Sequence, residues 1–442
     1  MGTSQERATL DDVRAIFHGL ATGFQRERKL GPRQIVVTLL TMIQAQCGYR
    51  RGLGLVHEHL GDVFAWGSAP PDAGGFSRAR QNLTPAELHA VYAEALNSST
   101  ATAARRRWRW KGLRVVAADG VRFLLPASDA IIAEWRRPKI ADGEAYQPQL
   151  LQVTLWDVGA VQPLRWVHLP CLGKGHGERS GILTLLDGLG PDDVLLLDRG
   201  FPSRRLLFEL IARGIHFVIR MPAGTSTDFT EVRGFLAADC ADGERDFAYA
   251  DPDSDEPLIE RLRLVRRAGR DDSIDVLVTD LVDRGRFPRR DIFALYRRRW
   301  GIENAFRDLK MRHEAENFHG TTPQFIEQEI IALMLLMLIE SLVEETVEMA
   351  LPTRERGSGD HDRPKRCNRA ALGDRVATLI AIAVRERTPR WLAAAFHRGV
   401  QACANDRSRV RRPRSYPRIC RSQYGRWRFE RRHRTGYDSK AA

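Results

Sequence analysis

Along the first hundred residues the apolar positions recur at three- and four-residue steps, and Leu10, Val13, Phe17, Leu20 and Phe24 fall on one face of a helix. A second helix is predicted over Gln34 to Cys47, led in by Pro32 at a favoured first position. A third starts at Thr84-Pro85-Ala86-Glu87, where the Thr84 side chain can accept from the backbone N–H of Glu87. Residues 1–110 therefore read as a helical N-terminal module. From residue 111 the pattern changes to short β-branched runs. Leu113 to Ala118 predicts a strand ending at the turn dipeptide Asp119-Gly120, with Val121 to Leu125 folding back beside it. Leu151 to Asp157 and Leu164 to Leu169, separated by a turn at Gly159, predict a hairpin. The apolar strand Val194 to Leu197, a helix at Ser203 to Arg213 and a strand at Ile215 to Met221 make a β-α-β passage.

Residues 222–273 are polar, with strand-like stretches at Phe247 to Tyr249 and Leu258 to Val265, and predict an inserted β-rich subdomain. Residues 274–350 bring a strand at Asp275 to Leu281 and an amphipathic helix from Arg289 to Arg312. They also hold the apolar run Ile330 to Ile339, too short to span a bilayer and so a buried helix. Residues 351–442 are polar, with a helix near Gly373 to Arg385 and an arginine-dense tail. In that tail Arg426 and Arg428 stand among Tyr424, Trp427 and Phe429, a pattern suited to tracking phosphates while stacking on bases.

Candidate chemistry comes from three acidic positions. Asp119 and Asp198 each follow an apolar strand, where side chains of neighbouring strands can converge. Glu303 lies on the amphipathic helix. Taking it as zero and about 100° per residue, Tyr296 falls near 20°, Arg299 near −40° and Lys310 near −20°. The apolar Leu295, Ile302, Phe306 and Leu309 fall between about −60° and −120°, so a polar stripe borders the buried face. Three converging carboxylates repel one another unless a cation neutralises them, and hard oxygen donors favour Mg²⁺, with Mn²⁺ able to substitute.

Charge sharpens this picture. The chain carries 69 Lys and Arg against 56 Asp and Glu, a net +13, which points to a polyanionic partner. Six scattered cysteines form no C-x-x-C pair and read as free thiols of a cytoplasmic protein. The N-terminus has no apolar leader segment, and the Gly173 to Gly177 loop has no Walker pattern, so neither a membrane nor a nucleotide cofactor is expected.

The spacing Tyr296-x2-Arg299-x3-Glu303-x6-Lys310 resembles the Tyr-Arg-Glu-Lys signature of a family of bacterial insertion-sequence transposases of the DDE class. Asp119-Gly120 resembles that family's first aspartate motif, and Asp198-Arg199-Gly200-Phe201 its second. The likeness runs from Phe76-Ser77-Arg78-Ala79-Arg80 to about residue 345 and includes the segment opening with Glu178-Arg179. It implies a ribonuclease-H-like mixed sheet interrupted by the β-rich insertion between the second Asp and the Glu, plus the helical N-terminal domain. It implies that Asp119, Asp198 and Glu303 are the catalytic residues and hold two metal ions. Tyr296, Arg299, Lys310 and Arg199 would contact DNA, the partners being terminal inverted repeats and target DNA. A homodimer assembled on DNA in the bacterial nucleoid is the expected working form. Relatives excise through a DNA hairpin helped by a tryptophan of the insertion. Residues 222–273 contain none, leaving Phe229, Phe235, Phe247 and Tyr249 as its stand-ins. Two other readings stay open: a ribonuclease-H-like nuclease that cuts without strand transfer, and a domesticated DNA-binding protein.

Overall fold

The computed structural model describes residues 3–20, 30–140, 143–173, 175–223, 228–250, 256–268, 274–350, 365–385 and 390–409. Phe24 and the arginine-dense tail, including Arg426 and Arg428, lie outside these residues. Six helices come first: α1 (Ser4–Gly19), α2 (Pro32–Ala45), α3 (Tyr49–Leu60), α4 (Ala73–Arg80), α5 (Pro85–Leu96) and α6 (Ser99–Arg107). Their starts obey local chemistry. Thr84 and Glu87 form the reciprocal cap of α5, Thr3 and Glu6 do the same for α1, and Pro32 opens α2.

The main strands are β1 (Arg114–Leu124), β2 (Gln149–Asp157), β3 (Gln162–Pro170), β4 (Asp193–Leu197), β5 (His216–Met221), β6 (Asp242–Tyr249), β7 (Leu258–Ala268) and β8 (Ile274–Thr279). They form one mixed sheet in the order β3-β2-β1-β4-β5-β8-β7-β6. Its first five strands, an antiparallel trio joined to two parallel strands, fit the expected ribonuclease-H-like core. Alternation along β1 feeds two cores. Val115, Ala117, Val121 and Phe123 face one, while Val116 and Ala118 face the other.

The first core is shared with α7 (Asp129–Trp135), α12 (Trp300–Met311), α13 (Pro323–Ala350) and the N-terminal helices. The second is shared with α8 (Glu178–Leu185), α9 (Arg204–Ala212) and α10 (Thr230–Ala237). Helix α13 buries Ile330 to Ile339 as expected and is wrapped by α1, α2, α5, α14 (Arg369–Val384) and α15 (Arg390–Asn405). Among the described residues no helix is long and apolar enough to cross a membrane.

Three expectations change. Asp119-Gly120 is not a turn, because β1 runs straight through it and pairs with β2 from Val116 to Leu124. Residues 222–273 do not stand apart as a β-rich unit. They supply α10 and then β6 and β7, which prolong the main sheet by pairing onto β8. Arg263 on β7, fully buried, binds Asp242 through Nε and Nη2 and donates from Nη1 to the carbonyls of Leu281 and Phe287, so the added strands grip the loop ahead of α11 (Arg289–Tyr296). The Arg289 to Arg312 segment is also not one helix, since a 3₁₀ turn at Arg297–Arg299 separates α11 from α12.

Candidate active site

Strands β1 and β4 are parallel, with Arg114 level with Asp193 and Ala117 level with Leu196. Continuing that register by two residues brings Asp119 level with Asp198, just past the end of β4, at a strand spacing of about 4.8 Å. Short apolar β4 stops where the longer β1 continues, so a notch opens at the sheet edge beside Asp119. The backbone N–H of Gly120 donates to Asp119 Oδ1 at 2.9 Å, and that of Gly200 to Asp198 Oδ1 at 2.7 Å.

Glu303 enters on α12, which packs over β1 through Ile302, Ala305, Phe306 and Leu309. Arg299 links it to the first aspartate, its Nη2 donating to Glu303 Oε1 at 2.5 Å while Nη1 stands 3.9 Å from Asp119 Oδ2. The 3₁₀ turn sets this up. At about 120° per residue it carries Tyr296 from near 20° to near −40° on the helix wheel, in line with Arg299. The observed geometry agrees: the Arg299 guanidinium lies 5.9 Å from the Tyr296 ring centre, and Tyr296 is buried rather than at the stripe's edge.

Electrostatics mark the cluster. Burial raises the Asp119 carboxyl to about 6, with the charges of Glu178 and Asp198 adding and the Gly120 N–H and Arg299 opposing. Glu178 is itself raised, by burial and then by Asp198. Burial pushes the Tyr296 hydroxyl up to about 12 against the opposing pull of Arg299, and among the described residues it makes no hydrogen bond of good geometry. Burial alone would lower the Arg299 guanidinium, but Tyr296, Glu303 and Asp119 together reverse the effect.

The remaining expected residues divide. Lys310 does not project freely, since its Nζ donates to the Arg122 carbonyl at 2.6 Å and pairs with Glu316 at 3.2 Å. Arg199 is exposed beside Asp198. Phe229, Phe235 and Phe247 are corrected as base-stacking stand-ins, because all three are packed into the second core. Tyr249 is half-buried against Phe208, ring centres 5.3 Å apart.

Two residues escaped notice as site residues. Trp300, half exposed, follows Arg299 and holds its guanidinium 5.6 Å from the ring centre. Glu178 opens α8 and lies against Gly120. Its signal was a glycine inside a strand, which marks close approach of another group.

The donor chemistry suits a hard divalent cation: carboxylates around a partly buried notch, two of them, Asp119 and Glu178, raised by burial and further by neighbouring negative charge. Among the described residues no three acidic, histidine or cysteine side chains stand close enough together to hold an ion as they are, Glu303 being turned onto Arg299.

Comparison with known proteins gives matches to a family, to a curated relative and to solved structures. The transposase DDE domain family model matches residues 110–339, just over half of the chain. "Transposase InsG for insertion sequence element IS4" of Escherichia coli (strain K12) is 25% identical over 232 residues, 51% of this chain and 51% of that protein. The chain thus matches about half the length of this curated relative. The cryo-EM structure of a piggyBac transposase synaptic complex with hairpin DNA aligns at 10% identity and a TM-score of 0.44, over 95% of this chain and 86% of that one, a likeness too loose to carry an argument.

Proposed function

The chain belongs to the transposase DDE domain family, and from that premise we propose that it is a DNA transposase that binds the terminal inverted repeats of an insertion sequence, cleaves there and joins the 3′ ends to target DNA by in-line phosphoryl transfer. The observation that carries this reading is the parallel pairing of β1 with β4, whose register continued by two residues brings Asp119 level with Asp198, with Glu303 linked to Asp119 through one buried arginine.

Asp119, Asp198 and Glu303 would hold two Mg²⁺ ions, with Mn²⁺ able to substitute. Such ions, when bound, offset charge on the phosphoryl oxygens and activate a water or a 3′ hydroxyl. The protein's own groups do the rest. Asp119, raised by its surroundings, gains most from a neighbouring positive charge. Arg299 neutralises Glu303 and faces Asp119 here. Once those carboxylates are otherwise neutralised, its fork can bind a DNA phosphate. The Tyr296 hydroxyl is a donor at the same place, exposed Arg199 reaches outward from the Asp198 loop, and Lys310 adds a point charge at the Arg122 end of β1. Arg426 and Arg428 would track DNA from the tail. Joining two ends calls for two chains on the DNA.

The decisive variant is Glu303→Gln. With DNA fragments from either side of the reading frame as substrate, it should bind as wild type in a gel shift at fixed salt. Cleavage and strand-transfer products should both vanish. Cleavage at the wild-type rate removes Glu303 from the reaction, and cleavage by wild type without any joined product leaves a nuclease.

A further inference from the structure

We propose that Glu178 is a fourth carboxylate of this metal site, approaching Asp119 from the face of the sheet opposite Glu303. The proposal rests on the reading of the site given above. Helix α12 belongs to the core of Val115 and Ala117, whereas α8 belongs to that of Val116 and Ala118. Asp119 therefore has a helix-borne glutamate on either side.

The approach of Glu178 is built into the chain. A Cβ on Gly120 would lie 2.3 Å from Glu178 Oε1, 2.7 Å from Cγ and 2.8 Å from Cδ, so any other residue there would expel the side chain. Glycine within a strand costs roughly 0.5–1 kcal/mol, and here it leaves room for a carboxylate one position beyond Asp119. Gly181 repeats the device. A Cβ there would lie 2.6 Å from Val153 Cγ2 and 3.1 Å from Leu169 Cδ1, so α8 sits directly on β2 and β3. Its first turn is held from the other side as well, Arg179 Nε donating to the Gly200 carbonyl at 2.8 Å in the loop that carries Asp198.

The surroundings of this carboxylate leave it unmatched. Among the described residues none hydrogen-bonds or ion-pairs with it, although it lies close enough for its charge to act on Asp119, and for Asp198 to raise it while Arg122 opposes. Two further polar groups on the α12 side, each on a residue more than nine-tenths buried, also make no hydrogen bond of good geometry: the Tyr296 hydroxyl, beside which Arg299 lies, and Arg299 Nε. A cluster with spare acceptors and spare donors around one notch is suited to a cation and the phosphate it accompanies.

The test is Mn²⁺ binding by the full chain without DNA, read by electron paramagnetic resonance of the unbound ion, with the melting temperature measured alongside. Glu178→Gln should weaken the tightest Mn²⁺ site by about tenfold or more while the fold melts within a few degrees of wild type. Glu178→Asp, which keeps the charge but withdraws it by one methylene, should fall between the two and serves if the glutamine variant folds poorly. Asp119→Asn separates the two levels of the argument. If it loses Mn²⁺ while both Glu178 variants bind within twofold of wild type, the fourth carboxylate is refuted and the three-carboxylate reading stands. If Asp119→Asn also binds as wild type, the metal site itself is wrong and this proposal falls with it.

Discussion

Two buried arginines, Arg80 and Arg299, divide the molecule into a part that is closed and a part that is open. Arg80, at the end of α4, is fully buried against α13, and all three of its side-chain nitrogens are engaged. Nε binds Gln328, Nη1 binds Tyr49 and Glu329, Nη2 binds the Phe325 carbonyl, and the Phe325 ring covers the guanidinium at 4.3 Å. Gln328 answers by donating to the Arg80 carbonyl at 2.8 Å, and the second oxygen of Glu329 accepts from the His319 N–H at 2.9 Å. Arg299 is nearly as buried, yet it makes one short bond to Glu303, stands beyond hydrogen-bond range of Asp119, and leaves Nε unmatched. A buried polar network with every member satisfied holds a fold together, whereas one with members missing is arranged around something else.

The largest expected effect breaks the closed network. Arg80→Ala should cost about 3–5 kcal/mol in urea denaturation, since Glu329 is then buried without its cation. A loss under 1 kcal/mol would show that the clamp does not hold the helices to α13. Arg299→Gln should do the reverse, changing stability by less than about 1 kcal/mol, because Glu303 stays a third exposed, while slowing DNA cleavage by about 100-fold. Equal cleavage in variant and wild type would make Arg299 a second clamp rather than part of the site. The smallest effect concerns Asp119. Its raised carboxyl binds a proton more tightly in the folded chain, so its contribution to stability is fully present below about pH 4 and is lost as pH rises through about 6. Without divalent ions, Asp119→Asn should therefore be more stable than wild type at pH 7, by on the order of 2 kcal/mol in urea denaturation, with the gap closing toward pH 4. A gap that is constant with pH would mean the carboxyl is not perturbed.

The closed region was the more legible in sequence. The Thr84 cap, the Pro32 start and the apolar face of α1 depend on residues three or four apart, and each stands where the spacing put it. The β2-β3 hairpin and the β4-α9-β5 passage were equally local. Around the site, local rules misled. Asp119-Gly120 has turn composition, but its glycine answers to Glu178, which arrives from a helix two strands later. The segment Arg289 to Arg312 has an unbroken helical period, which cannot reveal a tightened turn that lines Arg299 up with Tyr296. Residues 222–273 looked separate because they are polar. Only the pairing of β7 with β8 shows that they finish the sheet, and their phenylalanines proved to be core.

That last feature bears on any attempt to cut the chain down to a minimal enzyme. Deleting β6 and β7 would strip β8 of its outer neighbour, presenting a bare row of amides and carbonyls to which a second molecule can add, and would release the loop that Arg263 fastens ahead of the Glu303 helix. A shortened protein would then both self-associate and lose the footing of the Glu303 helix, so the ornament at the end of the sheet is part of the candidate site's frame.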